Sequence, residues 1–314
     1  MSAPFATSLE HKAQQLGWTA HEFRLWLTSQ GYTDADIEAA FSPASLRHIV
    51  EAPVSRLLPR AALAIERPTE KLARRVRIDV VNADDVECHV DLDRWKWKKR
   101  LRVYAGFLFF GNKVVRALAN GLLAGAAPPV PRAEEEAAML LRAFYSGHVP
   151  LRSAWAITPY KLSPQQEYVI AFLSGYLRDA AIAHELGHIA YALGGRCRQV
   201  MELREALTAL RTPEWGKHWV DELAADLLAA KLLDQPTGGE LASAHGLIIA
   251  LLIIEMMERC RGRPAAAPSS HPPSSVRRGL LFMTFPSLAR ASALNTMDAT
   301  CQKIFQLACA DDAT

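Results

Sequence analysis

The stretch Ala183 to His188, AHELGH, places two imidazoles and a carboxylate where a hydrolytic metal needs them. On a helix, residues four apart differ by about 40° in azimuth and ~6 Å in rise, so His184 and His188 can clasp one ion from the same face. Glu185 then lies beside the metal. It is badly placed to be a third ligand from the same turn, but it can reach a water on the metal and take its proton. The expected chemistry is hydrolysis at zinc, with His184 and His188 as ligands and Glu185 as the base.

Downstream, Asp221 to Asp226 reads DELAAD and supplies further candidates. His218, Glu222 and Asp226 recur at steps of four and share a helical face, whereas Asp221 is turned about 100° from Glu222. One carboxylate can bind the ion while another accepts the free N–H of a ligating imidazole and fixes its tautomer. Position alone leaves three candidates. His218 sits at the fraying start of the helix, and Leu227 and Leu228 after Asp226 suggest burial beneath the site, so the central residue, Glu222, is best placed as third ligand.

The element that must position the histidines can be argued residue by residue. Ser163, Pro164 and Gln166 form a start signal: a Ser N-cap, Pro at the first helical position, and Gln at N3 to close a capping box. Val169, Ile170, Phe172, Leu173, Tyr176, Leu177, Ala180, Ala181 and Ile182 keep the segment apolar on most sides, and Gly194-Gly195 offers a left-handed exit. A long buried helix is expected, with Gly187 leaving room for another backbone or the ion.

Composition excludes several classes. With 314 residues, 50% hydrophobic and 22% charged, the chain is ordinary globular material for one large domain and a small one. A net charge of +3 does not by itself imply nucleic acid. Cys88, Cys197, Cys260, Cys301 and Cys309 are odd in number and lack CxxC spacing, which fits a reducing, cytoplasmic setting better than a disulfide framework or a cysteine zinc site. The first fifteen residues lack a basic region followed by an apolar run, so no secretory leader is expected. The greasiest run, Gly246 to Ile254, is stopped by Glu255 and Glu258 well short of the roughly 20 apolar residues of a membrane span.

The chain divides into a helical module over 1–65 and a larger domain over 66–314. In the module, Thr19 with Glu22 opens one helix, and Thr33 with Asp36 opens a second after Gly31. GYTDADIEAAF faintly resembles small three-helix domains that bind ubiquitin or partner helices, which makes the module a candidate surface for a protein partner and no more. The larger domain holds a sheet over 73–112, metal helices over 163–233 and C-terminal helices over 240–310. Val76, Ile78 and Val80 alternate with charged residues, as do Val86, Cys88, Val90 and Leu92, which predicts an antiparallel hairpin with one buried face and His89 on the polar one. A third strand is expected over Leu101 to Phe110, closed by Gly111-Asn112. Arg94 to Arg102, RWKWKKRLR, has the composition of a nucleic-acid strip. It is equally a basic strand edge, and without a second basic cluster nucleic acid is not the expected partner.

Taken together, HExxH and the downstream ExxxD resemble the gluzincin class of zinc metallopeptidases. The resemblance implies that His184, His188 and Glu222 hold zinc, that Glu185 is the catalytic base, and that Asp226 supports a ligand from behind. A further box, His271-Pro272-Pro273 with Arg277, is similar to the HPPxxxR segment of the prenyl-protein (CAAX) processing endopeptidases and their bacterial heat-shock relatives of the HtpX type. The resemblance covers roughly residues 163 to 280. Lacking spanning helices, the chain is equally similar to soluble bacterial metallopeptidases of the ImmA/IrrE or Lit type.

The fold class expected is α+β, mostly helical, with a small antiparallel sheet packed on a zincin-like helical core. The function expected is a soluble zinc-dependent endopeptidase acting on a protein or peptide. His271, Arg277 and Tyr160 are candidates for contacting substrate or transition state, and an edge strand, Leu101 to Phe110, would pair with an extended substrate. Two alternatives stand beside it: a non-catalytic zinc-stabilised protein-binding module, and a nucleic-acid-associated regulator.

Overall fold

Leu101 and Val103 are fully buried, whereas Val76, Ile78, Cys88 and Val90 are only partly so, and this difference decides the order of the sheet. In the computed structural model, which describes residues 19–29, 33–34, 43–81, 88–91, 99–146, 162–212, 215–216, 218–236, 241–260 and 271–310, three strands form: β1 (Val76–Val81), β2 (Cys88–Asp91) and β3 (Lys99–Tyr104). Their order is β1-β3-β2, with the most buried strand in the middle. β1 runs parallel to β3, pairing Ile78 with Leu101, and β2 runs antiparallel to it, pairing Val90 with Leu101 and Cys88 with Val103.

This corrects the expected antiparallel hairpin. The alternating apolar positions Val76, Ile78, Cys88 and Val90 do pack against the core, but β1 and β2 do not pair with each other because the more deeply buried β3 lies between them. The third strand is also shorter than expected. Tyr104 ends it, and Ala105–Leu122 is a helix in which Gly111 and Asn112 are interior residues and not a turn. The apolar run FLFFGNKVV fits either period when read alone. Packing decides for the helix: Phe110, Val114, Val115 and Leu118 are buried, and a Cβ on Gly111 would meet Leu177 Cδ2 at 2.7 Å, so this glycine sits where two helices touch closely. Since β3 is central, the stretch expected to offer an edge to substrate does not. Of the basic run, residues 94–98 lie outside the described residues, while Lys99, Arg100 and Arg102 belong to β3 and Lys99 is buried.

Mostly, the chain is helical. In order, the helices are α1 (Ala20–Ser29), α2 (Pro43–Ala64), α3 (Thr69–Ala73), α4 (Ala105–Leu122), α5 (Ala133–Ser146), α6 (Pro164–Leu193), α7 (Arg198–Ala209), α8 (Trp219–Leu232), α9 (His245–Cys260), α10 (Ser274–Thr284) and α11 (Ala293–Cys309), with a 3-10 turn at Pro286–Arg290. Thr19 and Glu22 close the expected capping box at α1. Asp36 and Tyr160 lie outside the described residues. No described helix is long and apolar enough to cross a membrane.

The organising element is α6, 30 residues and about 45 Å long. Its start is as the sequence dictates: the Gln166 N–H donates to Ser163 Oγ at 3.3 Å, and the Ser163 N–H donates to Gln166 Oε1 at 2.7 Å. Its end is not. Gly194 has φ −85°, so the helix does not leave through a left-handed residue; instead a Cβ there would meet Ala190 O and Val200 Cγ2 at 2.7 Å, and glycine is required by crowding. Around α6 are packed α2, α4, α8 and α9, and the sheet lies on it through β2. Residues Val50, Val54, Leu57 and Ala61 of α2 enter the same core as Leu173, Ile182, Leu186 and Ile189 of α6. Polar ties reinforce that contact: Arg56 pairs with the buried Asp179 of α6, Arg60 Nη1 donates to Leu232 O at the end of α8, and Arg67 Nη2 donates to Leu193 O at the end of α6. Cations at helix C-termini answer both the free carbonyls and the helix dipole.

Candidate metal centre

Three side chains on two helices converge in the C-terminal third of α6. His184 and His188 come from α6, and Glu222 comes from the first turn of α8. The two helices approach closely because Gly187 has no side chain: a Cβ there would lie 2.5 Å from Ala225 O. That backbone contact sets the depth at which the carboxylate of Glu222 meets the two imidazoles.

The donor atoms are already arranged around a point. His184 Nε2 and His188 Nε2 face each other at 3.1 Å, Glu222 Oε2 is 3.5 Å from His184 Nε2, and Glu222 Oε1 is 3.4 Å from His188 Nε2. A tetrahedral ion with bonds near 2.05 Å has ligand-to-ligand edges of about 3.3 Å; each imidazole finds one Glu222 oxygen near that spacing, a different oxygen for each. All three side chains are largely buried, which restricts their rotamers.

The tautomer of His184 is set from behind. Its Nδ1 stands 2.9 Å from Asp226 Oδ1, so the proton belongs on Nδ1 and the Nε2 lone pair points into the cluster. Asp226 is in turn held by Arg277 of α10, whose Nε donates to Oδ2 at 2.6 Å and whose Nη2 donates to Oδ1 at 2.7 Å. From the residue opening α10's approach, His271 reaches Glu222 Oε1 with Nδ1 at 3.1 Å while remaining well exposed. Two imidazole nitrogens, one carboxylate and a carboxylate-fixed tautomer are a donor set that fits zinc.

The electrostatics follow from this crowding. Burial opposes ionisation of all four groups, and their mutual contacts override it. His184 is depressed by burial but lifted by hydrogen bonds to Asp226 and Glu222, to about 10. Asp226, raised by burial, is brought down to about 2 by Arg277 and His184. Glu222 is raised by burial and lowered far more by His184, His188 and His271. Arg277 stays cationic because Asp226 and Glu222 outweigh its burial.

Glu185 is buried at the next position of α6, beside the ligands. The edge strand β2 lies over this part of the helix, and burial pushes the Cys88 thiol well up, with the charge of Glu185 adding to the shift. Sequence reasoning gave Cys88 only an inward-facing position. Period-two alternation finds such a face but not the helix residue beneath it. His218 caps α8, is exposed, and lies 3.8 Å from Asp221 of its own helix, which is also exposed and faces away. The structure therefore brings together His184, Glu185, His188, Glu222, Asp226, His271 and Arg277, and leaves His218 and Asp221 apart. What the spacing did not reveal is that Arg277 meets Asp226; no periodic pattern links residues on different helices.

No family model matches the chain, and no curated protein and no solved structure matches it.

Proposed function

We propose that the protein is a zinc-dependent endopeptidase of gluzincin type, with a zincin-like core in which α6 and α8 supply the ligands. The observation that carries this reading is the His184–His188–Glu222 cluster, whose donor atoms all lie within 4.8 Å of one another beside the buried Glu185. A zinc ion held there would polarise a substrate carbonyl and acidify water. Glu185 accepts a proton from the attacking water and returns it to the leaving amine. His271, exposed and within reach of the ligand set, is placed to donate to the oxyanion that develops on the scissile carbonyl. Among the described residues β2 has an unpaired edge and lies against α6, so it, and not β3, is the strand to which an extended peptide would add. The test is peptide or self cleavage by wild type beside Glu185→Gln, with zinc content measured on both.

One observation favours a second reading, a structural ion in a non-catalytic binding module. His271 Nδ1 is 3.1 Å from Glu222 Oε1, close enough for its imidazole to complete a four-ligand, closed sphere. His271→Ala separates the two. On the catalytic reading zinc is retained and turnover falls; on the structural reading zinc is lost.

A further inference from the structure

We propose that Arg277 is a positioning residue for the metal site, acting on the ion through Asp226 and His184. This rests on the reading of the cluster as metal-holding and extends it to a third layer on a third helix.

The guanidinium is delivered by the start of α10. Pro273 caps that helix, the Arg277 N–H donates to Pro273 O at 3.1 Å, and the neighbouring Ser274, fully buried, donates its N–H to Glu258 Oε2 at 3.3 Å. The side chain thus has a fixed origin. Arg277 is 7% exposed and Asp226 is 1% exposed, so their contact is shut off from solvent. The two donors Nε and Nη2 take the two oxygens of Asp226 in a planar fork, a geometry that arginine provides and lysine does not.

The fork settles what Asp226 can do. With Oδ2 taken by Nε and Oδ1 by Nη2, the carboxylate plane is fixed, and Oδ1 is aimed at His184 Nδ1 at 2.9 Å. A lone carboxylate on two rotatable bonds could turn to another donor, and the imidazole ring would lose what holds its plane. The direction of the Nε2 lone pair, and with it the shape of the ion's seat, therefore depends on a guanidinium that lies behind the ring. Arg277 Nη2 is 3.5 Å from His184 Nδ1, but both nitrogens carry protons toward Asp226, so this approach is a shared acceptor and not a bond. At 3.9 Å from Glu222 Oε2, Nη2 adds only charge compensation there. Its burial behind the imidazole, and not a lack of spare N–H groups, sets the guanidinium apart from a substrate contact.

The experiment is a double-mutant cycle on zinc affinity, measured on the full chain by competition with a chromophoric chelator. Arg277→Gln and Asp226→Ala should each weaken zinc by about 10- to 100-fold, the usual cost of losing a group that orients a ligand. Their combination should be no weaker than the worse single variant. Arg277→Lys, which keeps the charge without the fork, should fall between wild type and Arg277→Gln. If Arg277→Gln does not fold because Asp226 is left buried and unpaired, the comparison of Asp226→Ala with Asp226→Ala/Arg277→Gln carries the test alone: less than about threefold between them supports the inference. Multiplying losses would overturn it, and so would wild-type affinity in Arg277→Gln with only hydrolysis lost. Failure of wild type to bind one zinc per chain would instead sink the metal reading itself.

Discussion

The backbone of Gly187 passes so close to Ala225 that a methyl group on its Cα would stand 2.5 Å from the Ala225 carbonyl oxygen. Backbone oxygen cannot swing aside as a side chain can. Gly187→Ala should therefore push α6 and α8 apart and draw Glu222 away from the imidazoles. The expected cost is about 1–3 kcal/mol of stability, together with at least a tenfold loss of zinc affinity. Gly279→Ala is the control: nothing lies near its would-be Cβ, and within α10 it should raise stability by up to about 1 kcal/mol. Thermal melts and chelator competition on the two variants check both statements.

Glu185→Gln should keep one zinc per chain and a melting temperature close to wild type, while hydrolysis falls by about 10²- to 10⁴-fold, the range for losing a general base. Hydrolysis at the wild-type rate would remove the proposed mechanism.

Glu222→Ala should abolish zinc retention. His218→Ala should leave it intact, because His218 is exposed at the cap of α8 and turned to Asp221. Asp226→Asn should weaken it by about 10- to 100-fold. Metal loss in His218→Ala with retention in Glu222→Ala would mean that the ligand set has been misread.

How much of this was legible beforehand depended on whether the information was local. HELGH and ELAAD place candidate ligands by helical repeat, and a repeat of 3.6 is written in consecutive residues; so is the capping box at Ser163 and Gln166. Strand pairing is not local. The alternation of Val76, Ile78, Cys88 and Val90 marks a buried face, but that β3 would enter between β1 and β2 depends on how deeply Leu101 and Val103 are buried. FLFFGN reads as the end of a strand closed by a turn, and it is helix because Gly111 packs against Leu177. Arg277 carried a motif but no partner, since its contact with Asp226 needs the docking of α10 on α8.

The metal-free protein has a definite pH signature. Held between Asp226 and Glu222, His184 has its pKa raised from 6.5 to about 10, so its contribution to stability is complete below pH 6.5 and is lost as pH rises through 10. Asp226 is lowered from 3.8 to about 2, so its contribution is complete above pH 3.8 and is lost as pH falls through 2. Chelator-treated protein should melt at progressively lower temperature from pH 7 to pH 10. Zinc held as proposed would replace the second proton on His184, so protein loaded with zinc should not show this decline over the same range. Calorimetry in matched buffers with and without chelator distinguishes the two curves.

The candidate ligands are divided between α6 and α8, which are joined by a close backbone contact and by chain that includes all of α7. An unfolded chain therefore presents His184 and His188 near one another but has no fixed place for Glu222. An ion that prefers the folded form stabilises it in proportion to the logarithm of its free concentration, by about 2.7 kcal/mol at a hundred times the dissociation constant. On the proposed reading, the fraction of this chain that is folded and resists a protease would follow the free zinc concentration, and scarcity would leave it open to cleavage.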